Sequence, residues 1–336
     1  MKTILFILFC FPMCIFGQQT IPDSIFINGT YRHFIIYIPD IYDSVEPTPL
    51  VFNLHGRTSN AASQMWYGDF RDIADTANFI IVHPQGLLDF TGVTHWNLGQ
   101  STVDDIGFLD SLYYQLVSIY NINLDQVYST GMSNGGYMSY YLACEMSDKI
   151  AAIASVTGAM SSYTQLICNP THPTPIMEIH GTADAVVLFN DIVNGLEYWR
   201  DYNNCNLIAD TTIIQDLNLG DLSTVEHIVY NNGDNGVTTE LFKVINGGHT
   251  WPGSIFSNGV TNYDINASIE IWKFFSRYDI NGLINTPTFI GDQNINKKIC
   301  SIVDLLGREI KQKNQKNQLL FFIYDDGTVE KRMLIE

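Results

Sequence analysis

Four short apolar runs recur along the chain: Pro49–Leu54 (PLVFNL), Phe79–His83 (FIIVH), Gln126–Thr130 (QVYST) and Pro175–Ile179 (PIMEI). Near-continuous hydrophobicity over so few residues predicts strands buried on both faces. Between them the apolar positions take helical spacing, over Asp104–Tyr120, Gly136–Ser147 and Ile192–Tyr202. The first of these opens on two aspartates, which suit the positive end of a helix dipole. Strand and helix in alternation predict an α/β fold, a mostly parallel sheet covered on both faces. Tyr31–Ile38 (YRHFIIYI) reads as an antiparallel edge strand.

The pattern changes at the two ends. Residues 1–17, MKTILFILFCFPMCIFG, carry one lysine, an apolar run and a small final residue, the form of a secretory signal peptide cleaved after Gly17. The run is too short for a membrane span, and no other segment is long and apolar enough to provide one. After Gly282 the chain becomes polar and irregular over residues 283–295. Residues 296–336 then carry short apolar runs at Cys300–Leu305, Leu319–Tyr324 and Thr328–Ile335, with a turn signal at Asp326-Gly327. The expected organisation is a signal peptide (1–17), a catalytic domain (18–282), a linker (283–295) and a small β domain (296–336).

Charge narrows the partners. Residues 18–290 hold 28 acidic against 8 basic side chains, whereas residues 291–336 hold 7 against 8. An acidic body excludes nucleic acid and anionic membrane as natural partners and suits neutral or apolar substrates. Loss of residues 1–17 leaves Cys144, Cys168, Cys205 and Cys300, with no C-x-x-C pair for zinc or redox chemistry. Export permits disulfides, and spacing alone leaves the pairing open.

The chemistry centres on Gly131–Gly136, GMSNGG. Chance alone produces G-x-S-x-G in a chain this long roughly one time in ten. Context decides: Ser133 follows a predicted strand and precedes a predicted helix, as a nucleophile elbow requires. The helix N-terminus aims free N–H groups at the site, so the Asn134 N–H is expected in an oxyanion hole. A serine nucleophile needs a base and a carboxylate to orient it, downstream in the order acid then histidine. Asp184 in His180–Asp184 (HGTAD) lies just past a strand end, and His249 lies in the glycine-rich Gly247–Gly253 (GGHTWPG). The second oxyanion donor is expected at the Arg57 N–H, in the loop after Pro49–Leu54. His55, His83 and His180 read as backbone-bonded histidines rather than catalytic ones. The run Asn231–Gly236 (NNGDNG) lacks the spaced acids of a calcium loop. No metal or organic cofactor is expected.

LHGR, PQG, HWN, DDIGFLDSL, GMSNGG, HGTAD and GGHTWPG, in that order, resemble one family over about residues 25–280. It is the secreted polyhydroxybutyrate depolymerase and feruloyl esterase group of the α/β-hydrolases. The resemblance implies a triad at Ser133, Asp184 and His249, with an oxyanion hole from the Arg57 and Asn134 N–H groups. It implies aromatic positions at Trp96 and Trp251 able to stack on an aryl or sugar group, with loop packing as the other role. It also implies a structural acid at Asp105 and a Cys168–Cys205 disulfide with Cys144 free. Where the group often has cysteine after HG, this chain has Arg57.

The end of the chain, IVDLLGREI (302–310) and FFIYDDGTVEKRMLIE (321–336), resembles the C-terminal sorting domain of type IX secretion, in a short form without the opening Pro-Asn-Pro segment. Together the resemblances imply an exported serine esterase acting on feruloyl or acetyl esters of plant cell-wall polysaccharide. They imply the type IX secretion machinery as a partner. Alternatives are a polyhydroxyalkanoate depolymerase, a serine peptidase on the same fold, and a catalytically inactive carbohydrate- or surface-binding protein.

Overall fold

The computed structural model describes residues 18–256, 259–284, 299–303, 308, 318–324 and 329–334. The expected signal segment, most of the linker and the Asp326-Gly327 turn lie outside the described residues. The chain divides between Ile284 and Asn285 into two compact units.

In the first unit, β1 (Gln19–Ile27) and β2 (Thr30–Ile38) form a hairpin, followed by β3 (Thr48–Leu54), α1 (Ala61–Tyr67), α2 (Arg71–Ala77) and β4 (Ile80–Pro84). A two-residue hairpin, β5 (Leu87–Leu88) and β6 (Thr94–His95), leads to α3 (Asp105–Ile119), β7 (Ile122–Met132) and α4 (Asn134–Glu145). Next come β8 (Ala152–Val156), α5 (Ser162–Ile167), β9 (Ile176–Gly181) and α6 (Phe189–Tyr202). The unit closes with β10 (Asp210–Ile213), β11 (Thr224–Tyr230), β12 (Thr239–Ile245), α7 (Ala267–Phe275), β13 (Tyr278–Asp279) and β14 (Gly282–Leu283).

Ten strands make one sheet in the order β1-β2-β4-β3-β7-β8-β9-β12-β11-β10. The six central strands, β4 to β12, run parallel, and an antiparallel pair closes each side. The Tyr31–Ile38 segment is thus not the edge: β1 covers it, which the polar alternation of QTIPDSIFI did not announce.

The apolar runs behave as a doubly covered sheet demands. Along β3, Leu50, Phe52 and Leu54 pack on one face with α3, α4 and Trp199 of α6. Val51 packs on the other with Phe70, Ile271 and Phe274, the last two from α7. Successive side chains of a strand point to opposite faces, so a strand with helices on both sides must be apolar throughout. Helix α3 starts where the Asp104 carboxylate accepts the Gly107 N–H at 2.7 Å, and buries Phe108, Leu109, Leu112 and Leu116. Emptying one such site, Leu112→Ala for instance, costs about 2–5 kcal/mol.

In the second unit β15 (Ile299–Val303), β16 (Gln318–Tyr324) and β17 (Val329–Leu334) form an antiparallel sheet with β16 in the middle.

Candidate active site

Strand β7 ends at Met132 and α4 begins at Asn134, so Ser133 alone makes the turn, at φ 53° and ψ −116°. That backbone region is strained for a residue with a Cβ, by about 1–3 kcal/mol, and persists only where its surroundings enforce it. The enforcement is close packing. A Cβ on Gly131 would lie 2.6 Å from the Leu54 carbonyl oxygen, and one on Gly135 would lie 2.2 Å from it. The β3 end therefore presses directly on the elbow, and only glycine fits at both positions. A Cβ on Gly56 would stand 3.5 Å from the Ser133 Cβ, so the loop carrying Arg57 borders the serine.

The Arg57 and Asn134 N–H groups donate to no acceptor among the described residues. The Asn134 side chain is occupied: its Oδ1 accepts the Trp96 N–H at 2.6 Å, and its Nδ2 donates to the Trp96 carbonyl at 3.2 Å. The Arg57 guanidinium turns away to Asp89, at 2.6 Å. His55 stiffens the same loop. Its Nδ1–H donates to the Gly56 carbonyl at 2.8 Å, and its Nε2 accepts the Gly86 N–H at 2.9 Å. Burial lowers the His55 pKa to about 4, which keeps that tautomer neutral.

The acid and the histidine sit past the ends of β9 and β12, neighbours in the sheet. Their loops are stapled together: Thr182 N–H donates to the Val244 carbonyl at 2.8 Å and Ala183 N–H to the Gly247 carbonyl at 2.9 Å. Asp184 Oδ1 accepts the N–H groups of Val186 and Val187, and Oδ2 accepts His249 Nδ1–H at 2.7 Å. Burial pushes the Asp184 carboxyl up, but the His249 hydrogen bond and the Val187 and Val186 N–H groups outweigh it and hold the carboxyl below its usual range. The Asp184 side chain is fully buried and that of His249 is 20% exposed, so the imidazole alone reaches solvent.

The elbow stands two strands away from β9, level with its end. Ser133 N–H donates to the Val156 carbonyl, and Thr157 N–H donates to that of Ile179. Ser133, Asp184 and His249 thus lie past the carboxyl ends of β7, β9 and β12, parallel strands of one sheet, and open α/β sheets bind ligands at that edge. Among the described residues no hydrogen bond joins the Ser133 hydroxyl to His249, a link that commonly tightens only with substrate bound.

The expected Cys168–Cys205 bridge does not form, and burial decides between the two roles left open for Trp96 and Trp251. The disulfide joins Cys144 to Cys168 across a Cα separation of 4.8 Å, and Cys205 is the buried free thiol. The cause is helix packing: Cys144 lies at the end of α4 and Cys168 at the end of α5, whereas Cys205 Sγ faces the Val237 carbonyl and Thr239 hydroxyl. Trp96 and Trp251 are each 1% exposed, so neither offers a stacking surface. Trp96 Nε1–H donates to the His55 carbonyl, Trp251 Nε1–H to Ser268, and both indoles pack the loops behind the site. The exposed indole is Trp66, beside Trp251 on a cleft of about 250 Å³ that Tyr67 and Ser254 also line.

Asp105 is structural. Its carboxylate pairs with Arg32 and accepts the Asn97 N–H at 2.7 Å, tying the 96–105 loop to β2. His83 is fully buried, with both ring nitrogens unpartnered among the described residues. Sequence reasoning did not single out Glu178; it read His180 as backbone-bonded, which the contact of its Nε2 with the Val187 carbonyl bears out. The two sit side by side beneath Asp184, with His180 Nδ1 3.1 Å from Glu178 Oε1. Their signal was present: two polar residues spaced by two in an apolar strand must share a face.

A parallel sheet, a serine elbow after β7, and the acid and histidine on the following strands define the α/β-hydrolase fold. Comparisons with known proteins agree. Residues 108–214 match the Phospholipase/Carboxylesterase family, a stretch that includes Ser133 and Asp184 and stops before His249. The chain is 28% identical over 272 residues to a bifunctional acetylxylan esterase/xylanase of Neocallimastix patriciarum, covering 80% of this chain and 36% of that protein. It is 31% identical over 188 residues to a probable feruloyl esterase C of Aspergillus niger, covering 53% and 64%. The chain thus spans less than two thirds of these relatives. In structure it resembles an acetyl xylan esterase of Aspergillus awamori, with TM-score 0.58, 15% identity, and 77% of this chain and 99% of that one covered. A ferulic acid esterase of Anaeromyces mucronatus, solved with ferulic acid, gives TM-score 0.50, 16% identity, and 79% and 92% coverage. Among the described residues no helix is long and apolar enough to cross a membrane.

Proposed function

We propose that this chain is a serine esterase that hydrolyses carboxylic esters through an acyl-enzyme on Ser133. The observation that carries the reading is the His249–Asp184 hydrogen bond, made in the chain order and at the strand ends that the Ser133 elbow demands. His249 Nε2 takes the Ser133 proton as the hydroxyl attacks the ester carbonyl, and Asp184 stabilises the imidazolium that forms. The N–H groups of Arg57 and Asn134 receive the negative charge of the tetrahedral oxyanion. Collapse expels the alcohol, which takes the proton from His249, and a water molecule activated by the same imidazole releases the acid.

The substrates proposed are feruloyl or acetyl esters of plant cell-wall polysaccharide, which the acetylxylan and feruloyl esterase relatives support. The acidic body fits a neutral polysaccharide. The reading includes export by the 1–17 segment and a sorting role for residues 296–336 toward the type IX secretion machinery. Three antiparallel strands in a unit of their own support the latter.

The test is a substrate panel of methyl ferulate, acetylated xylan and a 3-hydroxybutyrate oligomer, followed by release of free acid. Release of ferulate or acetate is expected. Release from the oligomer alone would move the substrate to polyhydroxyalkanoates, and release from none would contradict the esterase reading.

A further inference from the structure

Strand β9 buries a carboxylate and an imidazole that the hydrolytic steps above do not use. Glu178 and His180 are both fully buried. His180 Nε2 lies 2.9 Å from the Val187 carbonyl and 3.5 Å from Asp184 Oδ2. A carbonyl oxygen only accepts, so Nε2 must carry a hydrogen, and that N–H faces the triad carboxylate as well. On the far side of the ring, Nδ1 meets Glu178 Oε1 at 3.1 Å, and Glu178 Oε2 accepts the Tyr140 hydroxyl at 3.1 Å. The turn 184–187 therefore wraps the ring. Asp184 Oδ1 holds the Val186 and Val187 N–H groups, while the Val187 carbonyl returns to the imidazole.

We propose that Glu178 and His180 form a buried ion pair that positions the triad carboxylate, the imidazolium holding the 184–187 turn and facing Asp184 Oδ2, the oxygen that also accepts from His249. This rests on the serine-esterase reading of Ser133, Asp184 and His249. Glu178 and His180 are positioning residues, since neither touches the reacting atoms.

A buried carboxylate tends to stay protonated, and burial indeed raises Glu178 despite its bond from His180. Burial alone would strip the charge from His180, but the Glu178 hydrogen bond and charge, with the Val187 carbonyl, raise it. Both shifts run in the direction that holds the shared proton within the pair more tightly, Glu178 through burial and His180 through the Glu178 hydrogen bond and charge. The other titratable groups facing it are Tyr140 and Tyr137 on α4, Asp184 itself, His249 beyond it and Asp191 at the start of α6. Among these His249 is the base that catalysis requires. A cation 3.5 Å from Asp184 competes with the His249 imidazolium for the same carboxylate, so it favours proton return from His249.

The test is Glu178→Gln, which keeps the shape and removes the charge. With no anion beside it the buried imidazole loses its proton, and Asp184 is left to His249 alone. The acid limb of the kcat/KM profile for 4-nitrophenyl acetate should then move up by about half a pH unit or more. The expected kcat falls about tenfold while KM stays within about twofold. Labelling of Ser133 by a fluorophosphonate should persist, which separates this result from failure of the esterase reading. An acid limb that does not move would overturn the proposal. If the variant fails to fold, ¹⁵N-histidine spectra of the wild type decide. The proposal expects both His180 nitrogens protonated at pH 7, and an unprotonated Nδ1 would overturn it.

Discussion

A Cβ built on Gly181 would lie 2.2 Å from the carbonyl oxygen of Gly247. The acid loop and the histidine loop approach so closely at this point that no side chain fits between them. The approach sets the 2.7 Å bond between Asp184 and His249. Gly181→Ala must push the two loops apart, so kcat/KM is expected to fall at least about a hundredfold, and stability by about 1–3 kcal/mol. Ester turnover and urea unfolding check this. Wild-type turnover would show that the loops do not depend on that contact.

Arg57 is expected to act through its backbone. Its guanidinium is engaged with Asp89, whose carboxyl is held low first by the Thr91 hydroxyl and then by Arg57 itself. Arg57→Ala should therefore leave kcat/KM within about threefold of wild type, whereas loss of a true oxyanion donor costs about 10²–10³. A loss of the larger size would mean that the side chain meets the substrate.

The cysteines give a pairing test. Cys144→Ser and Cys168→Ser should destabilise equally, by about 3 kcal/mol on loop-closure grounds, since each opens the same 24-residue separation. Cys205→Ser opens no crosslink and should not reproduce that loss. Thermal unfolding of the three variants, with and without reductant, distinguishes this from any pairing through Cys205.

Acid should unfold the protein through its buried neutral histidines. Burial lowers His83 to about 3 and His55 to about 4. In the unfolded chain both titrate near 6.5, so below that pH the unfolded state binds more protons and gains. Stability is expected to decline from about pH 6.5 to pH 4. His83→Leu should remove the His83 share, roughly 2 kcal/mol of the difference between pH 7 and 4.5. Urea midpoints at the two pH values check this; an unchanged difference would show that His83 is already charged or hydrated.

Much of this arrangement is legible in the residues because few physical requirements produce the pattern. Leu50, Val51 and Phe52 are apolar in succession only because helices cover both faces of β3. The glycines around Ser133 are forced by Leu54, and the acid and histidine follow their strands. What was not legible depends on contacts between distant segments. Cys168 pairs with Cys144 because α4 packs on α5, a relation that spacing cannot express. Trp96 and Trp251 read equally as platforms or packing until their burial is seen. The ring of His180 joins Glu178 to Asp184 only because the 184–187 turn folds back over β9. β1 carries too polar a pattern to be seen alone, yet it pairs along the whole of β2.

The central claim is that Ser133 is a nucleophile activated by His249. Its most direct measurement is mass spectrometry of the protein after exposure to a fluorophosphonate. The expected result is one adduct per chain, mapped to Ser133, absent in Ser133→Ala and strongly slowed in His249→Ala. Folded wild-type protein that remains unlabelled, or labels equally well without His249, would contradict it.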